Sequence, residues 1–425
     1  MQKHQVIVIG AGAAGLMAAI KAAQDGAKVF LLEKMEKPAR KIRITGKGRC
    51  NITNMRPEPE LMQKIHPNNR FFRPAFRNFS NNDLVRFLNE NGLETIEERG
   101  ERVFPASQKA WDVAETLIGI AEKQGVEIKC HAKVLGLNSV DGIIQSISVE
   151  SGEGVEQLTS DAFVIATGGL SYPATGSTGD GYEWAKELGI EVVPTRPSLV
   201  GLYVKQHNEK LAGLELRNVS LQLWVDGGCK DEEFGELSFS SKGVEGAIVL
   251  RLSRDAVDAL AKKSKVQFKL DLKPALGEER LRQRIQRELS AKPSPVVVEA
   301  LLRKLLPAQL VAPFAEKAGV SVTQKTVKLK KGSLQRIVSC LKSFEMEVVG
   351  HEGYERAVIT VGGISLNELD SKTMQAKKYA NLFFAGEVID LDGNTGGYNL
   401  QIAFSTGYLA GLSVAKLCKA SCRTK

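Results

Sequence analysis

Residues 6–15 read VIVIGAGAAG, so four apolar residues of strand type run straight into GxGxxG, and eighteen positions beyond the last glycine stands Glu33, closing VFLLE. Strand, glycine turn, helix and second strand ending in an acid make one βαβ unit, which restricts the chain to a parallel, helix-covered sheet. Gly10 allows the tight turn, Gly12 lets backbone approach a pyrophosphate, and Gly15 lets the helix pack close to the sheet. The N–H groups of Ala13, Ala14 and Gly15 then open a helix whose positive end faces the phosphates. Glu33 can accept hydrogen bonds from a ribose 2′-hydroxyl and would repel a 2′-phosphate, so the spacing predicts a dinucleotide with an unphosphorylated adenosine.

A chain of 425 residues has room for two or three domains with an ample core and no disulfide staples. Cys50, Cys130, Cys229, Cys340, Cys418 and Cys422 are scattered, as expected of reduced thiols in a cytosol. The close pair Cys418 and Cys422 reads as a helix end, and no metal is expected. No apolar run reaches the roughly eighteen residues of a membrane helix, and no clean cleavage site follows the apolar start. The expectation is a cytoplasmic protein that does not enter the membrane. A net charge of +9 and a pI near 9.1 suit a polyanionic partner.

KPARKIRITGKGRCNITN, residues 37–54, is dense in Lys and Arg and broken by glycines, so it reads as a loop. NDLVRFLNENG and AWDVAETLIGIAEKQG carry helical periodicity, VEIKCHAKVLGLNSVDGIIQSISVES alternates like a small antiparallel sheet, and DAFVIATGG returns as a buried strand. From about residue 196 strand-like segments appear, whereas 251–320 is rich in Leu, Arg and Lys at helical spacing and punctuated by Pro274, Pro293, Pro295 and Pro307. LFFAGEVID and a final helix then close the fold. The expected division is a first part of a nucleotide-binding domain over 1–195, a β insert over 196–250 and 321–355, a helical insert over 251–320, and a second nucleotide-binding part over 356–425.

Four segments carry the candidate chemistry. The first is the glycine turn with Glu33, joined by Lys34. The second is LFFAGEVIDLDGNTGGYN, in which Gly386 and Glu387 stand at a strand's carboxyl end, where open α/β sheets bind ligands. There Glu387 could accept from ribityl hydroxyls, and Gly396, Gly397, Tyr398 and Asn399 open a helix whose dipole would stabilise a reduced flavin. The third is Thr167, Gly168 and Gly169, small residues that let backbone run beside a nucleotide, followed by Ser177, Thr178, Gly179 and Asp180 as capping residues. The fourth is Gly46–Asn51 with the nearby Lys41: Gly48 frees the loop, Arg49 can hold a phosphate or flavin oxygen, Asn51 offers donor and acceptor, and Cys50 is the candidate proton donor. No second GxGxxG appears, so NADH or NADPH would visit the flavin face only transiently. The five histidines fall in no catalytic pattern.

VIVIGAGAAGLMAA, KIRITGKGRCNITN, ERVFPAS, VIATGGLSYPATGSTGDGYEWAKELG, AVITVGGIS and LFFAGEVIDLDGNTGGYNLQIAFSTG together resemble the BaiN/YhiN-type family of FAD-dependent oxidoreductases. The resemblance implies an α/β fold: a discontinuous, glutathione-reductase-type (Rossmann-like) FAD-binding domain with inserted β-barrel-like and helical domains. FSSKGVEGA at 239–247 departs from the family's FTHxGxSGPA-like loop. The family's activities share one chemistry, in which hydride adds to the β-carbon of an enone-like system and a proton to the α-carbon. Its substrates are bile-acid intermediates or a uridine of large-subunit ribosomal RNA, which must be unstacked to react. Lys37, Arg40, Lys41, Arg43, Lys47 and Arg49, with Lys325, Lys328, Lys330, Lys331, Arg336 and Lys342, favour the RNA. Phe71, Phe72, Phe76 and Phe79 among Arg70, Arg73 and Arg77 could stack bases or fill a core. The rival expectations are a small-molecule enoate reductase or amine oxidase, and a non-enzymatic RNA-binding flavoprotein.

Overall fold

The computed structural model describes residues 4–205, 207–291 and 296–421, with side chains as far as Cys418; Pro293, Pro295 and Cys422 lie outside the described residues. The chain divides into two compact units, Met1–Pro197 with Val358–Lys425, and Ser198–Ala357.

In the first unit five parallel strands lie in the order Leu382–Phe384, Ala162–Ile165, Gln5–Ile9, Lys28–Leu32, Glu127–Lys129. The runs VIVI, AFVI and LFF are buried throughout, because a parallel sheet is covered on both faces. Val8 pairs with Val164 and Val164 with Phe383, so three segments far apart in sequence end at one sheet edge.

Two local readings are corrected. Glu127–Lys129 joins the parallel sheet beside Lys28–Leu32, while the antiparallel sheet holds only Lys133–Val140, Ile143–Ser151 and Gly154–Leu158. Three alternating residues cannot by themselves select between those pairings. Within the basic stretch read as a loop, Arg40–Ile44 forms a helical turn, anchored by the buried Ile42.

The two ends of the first unit lock together where the helix Ala13–Gln24 crosses the final helix, Tyr398–Ser421. A Cβ at Gly407 would strike the Ala14 carbonyl, and one at Gly411 the Ala18 carbonyl. Both pairs are spaced by four residues, so each lies along one helix face and the backbones approach without intervening side chains.

In the second unit six strands close into a barrel: Leu202–Val204, Gly243–Glu245, Gly228–Phe239, Glu215–Val225, Val266–Asp271 and Phe344–His351. Val266–Asp271 lies inside the stretch read as helical; Val266, Phe268 and Leu270 point inward at period two. The helices Ala247–Ala261, Glu278–Ser290, Val298–Arg303, Ala308–Lys317 and Lys331–Lys342 share one apolar core with the barrel.

The helix crossing makes a prediction about stability. Gly407→Val should lower the unfolding free energy by about 1–3 kcal/mol through overpacking, read by denaturant titration. Gly119→Ala, in open space on the helix Ala110–Lys123, should be neutral or stabilising.

Candidate active site

The turn after the first strand is held open by its glycines. Gly10 has φ +101°, and a Cβ there would lie 2.6 Å from the Ala166 carbonyl oxygen; at Gly15 it would strike the carbonyl of Gly10 itself. Gly12 differs, because a Cβ added there meets nothing within 4 Å. The helix that follows has no side-chain cap and no acid in its first turn, so its leading N–H groups and dipole face that open space. Ala14 is buried between Gly386 and Gly407, so its side chain packs and only its backbone can face a ligand.

Glu33 closes this turn from the second strand. Its carboxylate accepts from Ala11 N (3.0 Å) and Met35 N (2.9 Å), and burial raises its pKa. A carboxylate has about four acceptor sites, so two bonds leave capacity for a ribose hydroxyl. Lys34 turns to Asp180 at 2.6 Å and to the Thr178 hydroxyl. The expected cap is corrected: the helix Asp180–Glu187 starts after Gly179 without a side-chain cap, since Asp180 and Thr178 are held by Lys34 and by each other.

At the carboxyl ends of the neighbouring strands, Thr167 Oγ1 is buried and has no hydrogen-bond partner. Beside it, Gly168 has φ +73°, and Gly169 packs against Thr360 and Tyr182. Glu387, expected to take ribityl hydroxyls, has three partners within the protein. It pairs with Lys41 Nζ at 2.7 Å and accepts from Ser171 Oγ (2.7 Å) and Thr360 N (2.7 Å). Lys41 also donates to Ser171 Oγ at 2.6 Å, and Thr360 Oγ1 accepts from Leu170 N and Ser171 N. A partly buried carboxylate needs such partners, and they draw three segments together around Gly168 and Gly169. Ser171 and Thr360 were missed as organising residues; the signal was a lone Thr between apolar neighbours in AVITVGG.

The loop Gly46–Asn51 is conformationally strained. Gly46, Lys47, Gly48 and Cys50 all have positive φ, at 59°, 57°, 84° and 59°; for Lys47 and Cys50 this costs about 1–2 kcal/mol each. Arg49, read as a phosphate or flavin ligand, donates to Gln108 at 2.5 Å, pairs with Glu98 and stacks 4.2 Å over Phe104. Asn51, with its carboxamide turned to satisfy both ends, donates to Thr53 O (3.0 Å) and Val103 O (3.2 Å) and accepts from Gly397 N (3.1 Å). Gly396 O accepts from Asn54 Nδ2 at 3.2 Å, and Asn399 ties both backbone groups of Gly393. Tyr398 is buried at the start of the final helix. The 46–54 and 393–399 segments are therefore one structural piece, and Gly397 sits against Thr53 with no room for a Cβ.

Cys50 is wholly buried, and that burial pushes its thiol up to about 12. It stays protonated at neutral pH, as a proton donor requires, and its side chain is not exposed in this structure. The aromatic reading of 70–79 is corrected toward packing: Phe71, Phe72, Phe76 and Phe79 are all core, and Phe79 stacks on Tyr408 at 4.5 Å. Several basic residues are likewise engaged. Arg73 and Arg77 share Glu58, Arg40 pairs with Glu36, and Arg43 pairs with Glu115 over Trp111.

The profile of the HI0933-like protein Rossmann domain matches residues 4–413. The chain belongs to this family. It is 31% identical over 414 residues to an Escherichia coli protein named ribosomal RNA dihydrouridine synthase, covering 96% of this chain and 97% of that one. It is 29% identical over 417 residues to the Clostridium scindens 3-dehydro-bile acid delta(4,6)-reductase, covering 97% and 99%. Among solved structures, the 3-ketosteroid-delta4-(5alpha)-dehydrogenase of Rhodococcus jostii shares the fold at a TM-score of 0.52 and 15% identity, covering 98% of each chain. HI0933-like members are FAD-dependent oxidoreductases, and this chain is one. An uncapped helix start beside open space at Gly12 and the unpartnered Thr167 hydroxyl fit that cofactor. Among the described residues, no helix is long and apolar enough to cross a membrane.

Two measurements follow from this geometry. Gly12→Val should keep the fold, because its φ of −83° suits any residue and its Cβ enters open space, yet it should purify colourless and fail to take up FAD. For Cys50 the sign is set by burial: the unfolded thiol ionises above its ordinary 9.0, the folded one only near 12. Stability should fall by up to about 1.4 kcal/mol per pH unit through that window, and Cys50→Ala should remove this component from pH-dependent unfolding curves.

Proposed function

We propose that the protein reduces a conjugated C=C bond, and that its substrate is a uridine of large-subunit ribosomal RNA, converted to dihydrouridine in the cytoplasm. NADH or NADPH is the proposed reductant. FAD, when bound, would supply the hydride that the β-carbon of the uracil ring needs, and the α-carbon would take its proton from the chain. Gly10, Gly12 and Gly15, with the first-turn amides of Ala13 and Ala14, would hold the pyrophosphate, and Glu33 the adenosine ribose. Thr167, Gly168, Gly169 and Gly386 would line the strand ends beside it, and Gly396–Asn399 the start of the final helix. Lys41 and Glu387 would set the shape of that edge through their ion pair, and Lys34 would brace the Thr178–Asp180 turn. Cys50, protonated and in a strained loop beside Asn51, is the proposed proton donor.

RNA is preferred over a free enone because the chain's positive charge is concentrated. Residues 262–342 hold nineteen Lys and Arg against six Asp and Glu, an excess of thirteen, larger than the net charge of the whole chain. A small uncharged enone needs no such field, whereas a polyphosphate is drawn by it. The 29% identity to a bile acid reductase supports the second reading, a small-molecule enone reductase on the same scaffold.

FAD-loaded protein, reduced by NADH or NADPH without oxygen, should produce dihydrouridine in protein-free large-subunit rRNA, counted by nucleoside mass spectrometry. Flavin that stays reduced with rRNA but is reoxidised by a conjugated steroid enone would overturn the RNA reading in favour of the second. Cys50→Ala should keep its yellow colour and its reduction by nicotinamide while losing turnover by about 10²-fold or more; full activity removes Cys50 from the proton step.

A further inference from the structure

We infer that the second unit carries a phosphate-binding face for RNA, formed by the end of the helix Glu278–Ser290 and the segment Lys325–Lys331. This rests on the proposed RNA substrate and assigns its docking surface to a different unit from the nucleotide-binding segments.

The geometry begins with two helices packed through Leu281, Ile285, Ile337, Val338 and Leu341, all buried. Arg282 contacts Gln335, and Lys342 donates to Leu276 O at 2.8 Å and to Lys273 O at 3.2 Å. These bonds set an antiparallel register, which brings Lys331, at the start of one helix, beside the last turns of the other. Those turns present Arg284 and Arg287, both exposed. Val297 bridges to Lys325, and Thr326 N donates to Val296 O at 3.0 Å, so Lys325–Lys331 is fastened to the same end.

The charges there are not neutralised from within. Asp271 is taken by Lys342, Glu299 by Arg303, and Glu288 by Lys304 at 2.8 Å with Arg284 further off at 3.8 Å. Among the described residues, Lys325, Lys328, Lys330 and Lys331 are exposed and have no ion pair. Arg284 also helps to depress the pKa of the half-buried Lys273, after the larger effect of burial, as expected where like charges crowd. A fold keeps such uncompensated charge together at an electrostatic penalty, which a polyanion relieves by giving up its counterions.

The chemistry of the face selects phosphate over bases. The aromatic residues of this stretch, Phe268 and Phe314, are fully buried, so no ring is offered for stacking. Val296 and Val327, 69% and 88% exposed among the lysines, supply apolar surface of the kind a ribose edge can use. Interactions of this type position a nucleic acid without reading its sequence. The expectation is strong, salt-sensitive binding that tolerates changes of sequence.

The test uses the FAD-loaded full chain and protein-free large-subunit rRNA in filter binding at several salt concentrations. Replacing Lys325, Lys328, Lys330 and Lys331 together by Glu should weaken binding by about tenfold or more and flatten the salt slope by about 3, at roughly 0.7–0.9 for each phosphate no longer neutralised. Flavin absorbance and thermal unfolding should be unchanged, since all four side chains are exposed. Reversal of two charges at Lys37 and Lys47, exposed on the other unit, should have less than half the effect of the fourfold variant on the salt slope. Wild-type binding that the fourfold variant retains overturns this face while leaving the RNA substrate standing. A wild type that binds no rRNA overturns both. If the variant loses only its binding to vesicles rich in phosphatidylserine, the face serves a membrane and the inference fails.

Discussion

The first unit depends on one close approach. Ala14 lies between Gly386 and Gly407, so the opening turn, the last strand of the sheet and the final helix meet within a side chain's width. Small residues are required there because backbone occupies the space that a larger side chain would need. The consequence reaches the candidate site directly: fixing the helix Ala13–Gln24 fixes the direction of its free N–H groups. The same approach lets a chain interrupted by 160 residues, Ser198–Ala357, rebuild one continuous sheet from both of its ends.

Around that crossing the polar groups fall into two classes. Some are already satisfied: Glu387 by Lys41, Ser171 and Thr360, Arg49 by Glu98 and Gln108, and Asn51 by Gly397 and two carbonyls. These hold the loops in place. Others are left open, namely the first amides of the helix, the spare acceptor sites of Glu33 and the hydroxyl of Thr167. A rigid, satisfied frame around a few unsatisfied donors and acceptors is what binding without reorganisation requires. The strained backbone at Lys47 and Cys50 lies on the frame's edge, where strain is most often tied to function.

The pairing of charge differs between the units. The basic residues next to the nucleotide-binding segments are largely paired, whereas those on Lys325–Lys331 are not. Relatives of nearly equal identity bear names as different as an rRNA-modifying enzyme and a bile acid reductase. Substrate choice on such a scaffold must therefore come from features in which the relatives differ, and surface charge is one that sequence divergence can change without disturbing the core.

Much of the nucleotide-binding architecture was legible in the chain because it rests on local rules. The apolar runs, the glycine spacing and the terminal acid follow from strand burial and turn geometry, and neither depends on distant partners. The six-strand barrel was only partly legible: Val266–Asp271 alternates cleanly but sits in a Leu- and Arg-rich stretch whose average texture is helical. At the candidate site the glycine geometry was legible in the sequence and the pairing of the charges was not. Glu387, Lys41 and Arg49 have the right chemistry for a ligand, yet each is paired with a residue that the sequence places far away. Aromatic residues 71–79 likewise carry no mark that separates core from surface. Glycine spacing and apolar period are properties of neighbours along the chain, so the sequence alone determined them; which charged group meets which partner depends on the folded path, and only the tertiary structure decided it.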